Sequence, residues 1–218
     1  MFSVIFDMDG TLLDTQSICI PAWEYAGNMQ KIPGVGSDIV NVCGMNETGW
    51  TGYLEEKYPT MDIPLFKETM RNYIIDNLKV RYKKGAPELI GFLKNNGIRL
   101  ALASGSSRAS IDHHLKEVGA EEVFDVIVGG KEVENGKPHP DIFMLTAQKL
   151  GANPKDCYVF EDSGNGIKAA YAAGMKPIGI PDTAPFTDDI KKLMYTELTS
   201  LDEAIDMFGK ILLEQDSI

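Results

Sequence analysis

Residues 2–14 read Phe2-Ser3-Val4-Ile5-Phe6-Asp7-Met8-Asp9-Gly10-Thr11-Leu12-Leu13-Asp14. The run Phe2 to Phe6 is apolar and β-rich, so it reads as a strand buried on both faces. It stops abruptly at two acids, a glycine and a threonine. Carboxylates just past the end of a buried strand lie where open α/β sheets keep their ligands. Asp7 and Asp9 are two apart. An extended chain would put both side chains on one face, whereas a tight turn would aim them differently. Two carboxylates this close suit a divalent metal, or a nucleophile beside a proton donor. A strand followed by an ordinary polar turn has the same pattern.

Working outward, the next sixty residues lose all strand character. Ile18, Ala22, Tyr25 and Ala26 fit one helical face, with Pro21 implying a late start or a kink. Ser37 is placed to cap a short helix through Val42, ending near Gly44. Residues 46–57 read as a further helix. Asp62 and Pro64 then look like a cap and a first-turn proline for a helix through Leu78. From Tyr82 a different rhythm begins. Strands are predicted over 98–103, 123–128, 157–160 and 176–180. Helices are predicted over 87–96, 108–118, 141–150 and 167–173, closed by Gly97, Gly119, Gly151 and Gly174. Ser200 and Glu203 have capping-box spacing for a last helix. Strands alternating with helices of this length imply right-handed βαβ units and a parallel sheet. The expected organisation is a Rossmann-like α/β core of residues 1–14 and 81–218, with an all-helical insert over 15–80.

Composition narrows the function. The chain has 218 residues and 44% apolar content, ample for a packed core, and its 21 basic and 32 acidic residues give a net charge of −11. That sign argues against a general binder of nucleic acid or of anionic membrane, both of which demand basic patches. No apolar stretch approaches the ~20 residues of a bilayer span. The N-terminal apolar run, broken by Asp7 and Asp9, lacks the form of a secretory signal. Cys19, Cys43 and Cys157 are odd in number and fit no zinc or redox spacing, so reduced thiols in the cytoplasm are expected. His113 and His114 lie mid-helix, and one at least must face solvent.

Three predicted strands end in polar turns: Asp7-Met8-Asp9, Ser104-Gly105-Ser106 and Glu161-Asp162-Ser163. In a parallel sheet these ends gather at one edge. Ser104-Gly105-Ser106 opens a helix, where a hydroxyl and free amides form either an anion site or an ordinary N-cap. Asp7, Asp9, Glu161 and Asp162 together would repel one another without a cation. Oxygen-only ligands around a phosphate favour magnesium. In Gly136-Lys137-Pro138-His139-Pro140-Asp141 the lysine is held between a glycine and prolines. It is either a positioned partner for a phosphate or aspartyl anion, or a solvated loop lysine.

Taken in order, Asp7-x-Asp9-Gly10-Thr11, Ser104, Lys137 and Glu161-Asp162 resemble the four motifs of the haloacid dehalogenase superfamily, and the resemblance covers essentially the whole chain. Phe160-Glu161-Asp162-Ser163-Gly164-Asn165-Gly166 and Gly136-Lys137-Pro138-His139-Pro140-Asp141 are similar to the branch holding beta-phosphoglucomutase and the sugar-phosphate phosphatases, which carries a helical cap after the first strand. The resemblance implies that Asp7 is the nucleophile and Asp9 the acid–base. It implies that Ser104 and neighbouring amides, including that of Gly105, hold phosphate, and that Lys137 bridges phosphate and Asp7. It implies a magnesium ion held by Asp7, the backbone carbonyl of Asp9 and Asp162, with Glu161 close by. Asp14-Thr15 and Ala22-Trp23 match the start of the phosphoglucomutase cap. Where that enzyme expects a lysine before the cap glycine and an arginine three positions after it, this chain has Cys43 and Glu47 about Gly44. The grip for a second phosphate is missing. The expectation is therefore a monomeric, magnesium-dependent phosphatase of a small phosphorylated metabolite. Beta-phosphoglucomutase and an inactive phosphate-binding protein are the alternatives. Arg108 is expected on the helix surface.

Overall fold

The computed structural model describes residues 2–77, 79–182 and 184–215; the predicted helix end at Leu78 lies outside them. β1 (Ser3–Phe6) is followed by helices α1 (Gln16–Met29), α2 (Ile39–Val42), α3 (Glu47–Lys57) and α4 (Ile63–Asn77). Then come α5 (Ala86–Asn95), β2 (Arg99–Ser104), α6 (Arg108–Glu117), β3 (Val126–Gly129), α7 (Asp141–Leu150), β4 (Cys157–Glu161), α8 (Gly164–Ala172), β5 (Lys176–Gly179), α9 (Asp188–Lys191), β6 (Thr196–Glu197) and α10 (Glu203–Gln215).

The six strands found among the described residues form one parallel sheet in the order β3-β2-β1-β4-β5-β6. Alternation along β1 decides its packing. Val4 and Phe6 join Leu102, Phe160, Leu89, Leu93 and Phe208 on one face. Ile5 joins Ala101, Val159, Phe143 and Ala169 on the other. Helices thus cover both faces, as a parallel sheet requires. Phe6 lies opposite Leu102 in β2 and Phe160 in β4. The residues one step further, Asp7, Ala103 and Glu161, therefore reach the sheet edge together. That edge is where the chain order reverses about β1, the crevice where such sheets bind ligands.

Some predicted local signals landed differently. β6 was missed, because two residues carry no alternation to read. Ser163 accepts the Gly166 amide at 3.0 Å, so α8 starts at Gly164, three residues before the predicted start. Ser37 does not cap α2; it sits inside a 3-10 turn, donating to the Gly34 carbonyl at 2.7 Å. Glu203 reaches back to the Thr199 amide at 3.1 Å rather than to Ser200, because the chain turns once more before α10. α1 runs unbroken through Pro21.

The helices α1–α4 gather a hydrophobic cluster of their own around Trp23, Val35, Ile39, Leu54 and Phe66. Trp23 meets Phe66 edge to face, ring centres 5.5 Å apart. Within this group Asp38 is buried and takes hydrogen bonds from Tyr58 Oη at 2.7 Å, Tyr53 Oη at 3.2 Å and the Lys57 ammonium. Burial pushes its pKa up, but the bonds from Lys57, Tyr58 and Tyr53 outweigh that and hold it below the ordinary value. Asp38→Ala should cost ~1–3 kcal/mol, since it leaves hydroxyl donors without their acceptor. A carboxylate with a lowered folded pKa stabilises above its unfolded value of ~3.9 and loses that contribution as pH falls through the folded value. The gap in melting temperature between wild type and Asp38→Ala should therefore be full at neutral pH and narrow on acidification. A gap that is constant with pH would show that the carboxylate charge is not what Asp38 contributes.

Candidate active site

Asp7 ends β1, with its amide donating to the Phe160 carbonyl at 3.0 Å, so its backbone is part of the sheet. Its carboxylate is buried and accepts from Lys137 Nζ at 2.5 Å. The same ammonium is paired with Glu161, touches the Ala103 carbonyl at 3.4 Å and lies 4.9 Å from the centre of the Phe143 ring. Lys137 is thus a buried cation clasped between the ends of β1, β2 and β4. Burial disfavours its charge, yet Asp7 and Glu161 prevail and hold its pKa above the ordinary lysine value.

Asp162 follows β4 and is also buried. Thr11 Oγ1 donates to its Oδ1 at 3.1 Å, and Gln16 Nε2 to its Oδ2 at 2.5 Å. Glu161 Oε2 accepts from the amide and hydroxyl of Ser163 at 3.1 and 2.9 Å. One ligand oxygen from each of Asp7, Glu161 and Asp162 lies within 4.8 Å of the others. Burial is the largest cause raising the pKa of Asp7 and of Asp162; neighbouring carboxylates push the same way and Lys137 only partly offsets them. Full ionisation of the three buried carboxylates would set three negative charges against one ammonium. This oxygen-only donor set fits a hard divalent cation such as magnesium.

Asp9 is placed differently. Its carboxylate accepts from Thr15 Oγ1 at 2.9 Å, Ser104 Oγ at 3.1 Å and Ser106 Oγ at 2.8 Å. Its backbone carbonyl accepts from Gln16 Nε2 at 3.3 Å. Gly10 makes this turn possible. It has φ +87°, and a Cβ there would stand 2.3 Å from Gln16 Nε2 and 2.5 Å from Asp162 Oδ2. The two opening aspartates therefore face opposite ways: Asp7 joins the acidic cluster, while the Asp9 side chain turns to the hydroxyls at the end of β2. Ser104 Oγ also accepts the Ser106 amide at 3.0 Å, and Ser107 caps α6 through the Ser110 amide. The loop Ser104-Gly105-Ser106 is thus held from both sides.

The helical segment closes over this edge. Asn165 Nδ2 donates to the Cys43 carbonyl at 3.1 Å, and Gly105 abuts the Met45 carbonyl. A cavity of about 700 Å³ lies between, lined by residues including Gly105, Ser107, Glu47, Lys67 and Lys131. Glu47 pairs with Lys67 and, 3.6 Å away, with Lys131. Arg108 pairs with Asp112 one turn on, at the surface. Burial and Asp9 push the Cys19 thiol up to about 12, which suppresses its thiolate. Sequence reasoning missed Gln16. Its only signal was a long polar side chain immediately after Asp14-Thr15.

The haloacid dehalogenase-like hydrolase family matches residues 4–180, and the chain belongs to that family. A bifunctional riboflavin kinase/FMN phosphatase of Arabidopsis thaliana is 34% identical over 223 residues, covering 97% of this chain and 55% of that protein. The chain thus spans about half the length of that relative. A phosphorylated carbohydrates phosphatase of Thermotoga maritima is 32% identical over 182 residues, 82% of this chain and 84% of the relative. The crystal structure of a beta-phosphoglucomutase from Clostridium difficile superposes with a TM-score of 0.81 over 100% of both chains at 24% identity, a likeness of fold. Among the described residues no helix is long and apolar enough to cross a membrane.

Proposed function

We propose that this hydrolase is a magnesium-dependent phosphatase of a small phosphomonoester, a sugar phosphate, working through a phosphoaspartate on Asp7. The observation that carries the reading is the split orientation of the two aspartates, Asp7 against Lys137 and Asp9 against Ser104, Ser106 and Thr15. Asp7 attacks phosphorus, and the bond from phosphorus to the leaving oxygen breaks as Asp9 supplies that oxygen with a proton. Asp9 then takes a proton from the water that attacks the phosphoaspartate, releasing inorganic phosphate and restoring Asp7. Dividing one difficult step in two is what a covalent intermediate achieves. Ser104, the Gly105 amide and Lys137 would hold the phosphoryl oxygens. Asp7, Asp162 and the Asp9 carbonyl, with Glu161 behind them, would hold magnesium. When bound, that ion neutralises charge on the transferring group. Residues 15–80 would act as a cap that excludes water from a core of residues 1–14 and 81–218.

Hydrolysis is favoured over mutase chemistry by Glu47. By the resemblance it stands where a basic residue would hold a second phosphate; the two lysines of the same cavity wall, Lys67 and Lys131, are both engaged by it, and Glu55 and Glu134 add further acid. The net charge of −11 fits a small metabolite in the cytoplasm better than nucleic acid or membrane. Phosphate release from a panel of sugar phosphates and nucleotides, with and without magnesium, tests the reading. Release should require magnesium, and Asp162→Asn should raise the magnesium needed for half-maximal rate by about tenfold or more. Conversion of glucose 1-phosphate to glucose 6-phosphate without release would favour the mutase. Full activity of Asp162→Asn at low magnesium would remove Asp162 from the metal site.

A further inference from the structure

The side chain of Gln16 stands between the two oxygens that the proposed metal site needs outside Asp7. Nε2 is 2.5 Å from Asp162 Oδ2 and 3.3 Å from the Asp9 carbonyl oxygen. The other oxygen of Asp162 accepts from Thr11 at 3.1 Å, so each oxygen of this carboxylate has a side-chain donor. An amide nitrogen carries two hydrogens, and these two acceptors use both. The group is well seated. Gln16 is buried, and the missing Cβ of Gly10 leaves it the space it fills. Its Oε1 accepts from Cys43 Sγ at 3.5 Å, in the segment that closes over the sheet edge.

We infer that Gln16 is a built-in competitor for the metal: its amide satisfies Asp162 and the Asp9 carbonyl in the metal-free enzyme and must withdraw for a cation to bind both. This rests on the metal reading above and deepens it. An N–H dipole directed at a ligand oxygen presents positive charge where the cation must sit, so the two occupancies exclude each other. Because Gln16 is the first residue of α1 and reaches Cys43, withdrawal also loosens a link between the metal edge and the helical segment. Metal affinity is thereby set below what the carboxylates alone would give, and metal arrival is tied to helix position.

Gln16→Met keeps the volume and removes both donors. Calorimetric titration of magnesium, and of manganese followed by its spin resonance, should show Gln16→Met binding about tenfold more tightly than wild type, the loss of a charge-assisted hydrogen bond that the cation must break. The metal-free melting temperature should fall in the variant, and the rise on adding magnesium should be larger than in wild type. Gln16→Leu, which also lacks a donor, serves the same purpose if the methionine form does not fold. Unchanged or weaker metal binding in the folded variants would overturn the inference. Asp162→Asn, titrated in parallel, keeps the two readings apart. If it weakens binding while Gln16→Met does not tighten it, only the role of Gln16 fails. If Asp162→Asn binds metal like wild type, the metal site itself is misassigned and the inference falls with it.

Discussion

Asp7→Asn should reduce phosphoryl transfer to the uncatalysed background, whereas Asp9→Asn should keep the first half of the reaction and stall in the second. The difference follows from where each side chain is held. Asp7 is fixed by the sheet and pressed against Lys137. An amide there neither attacks phosphorus nor balances the buried ammonium. Asp9 lies on the turn, held by three hydroxyls, one of which is Thr15 at the start of the helical segment. Movement of that segment can redirect it. On the proposed mechanism its loss removes proton transfer, typically worth ~10²–10⁴-fold. With a good leaving group such as nitrophenolate, departure needs little acid help. Asp9→Asn should then give a burst of nitrophenolate and accumulate a phosphorylated enzyme, and mass spectrometry should place the adduct on Asp7. An adduct on Asp9 or Ser104, or none with any reactive ester, would defeat the mechanism.

Lys137→Met should be the most destabilising single change in the site, as well as an inactivating one. Lys137 is about 3% exposed, and its ammonium is the shared counter-charge of Asp7 and Glu161. Removing one partner of a buried ion pair strands the others, at a cost of ~3–5 kcal/mol. Thermal or urea denaturation without divalent metal should show this directly. The double variant Lys137→Met/Glu161→Gln should recover part of the loss, because one of the stranded charges is gone. Strict additivity of the two changes would mean that Lys137 and Glu161 are not coupled, contrary to their direct pairing.

Much of this arrangement was legible in the chain because it depends on local, repeating signals. The apolar run Phe2 to Phe6 and the β-α alternation after Tyr82 specify a parallel sheet, since each buried strand must be covered on both faces. The acids and hydroxyls that follow the strands then fall at one edge, whereas Lys137, in the loop between β3 and α7, reaches it only through the fold of that loop. The loss of strand pattern after Asp14 likewise marked the helices α1–α4. Short-range rules failed where competing partners were close. Glu203 has both Ser200 and Thr199 within reach, and the turn before α10 selects Thr199. β6 exists only because β5 offers it an edge to pair with.

The sequence by itself singled out a set of acids, hydroxyls and a lysine and the end of the sheet where they gather. It could not determine where they point. Met8 is buried and Gly10 takes a positive φ, so the chain between Asp7 and Asp9 turns instead of continuing the strand. The period-two rule thereby lapses, and the two carboxylates part, one to Lys137 and one to Ser104 and Ser106. Gln16 shows the same limit more sharply. Nothing at position 16 announces a partner 146 residues away, and only the folded chain, which sets the first residue of α1 beside the residue after β4, brings its amide to Asp162. A hydrogen bond of that sequence separation is a property of the packed chain. It depends on distances that composition and spacing do not encode, and on the absence of a single Cβ at Gly10.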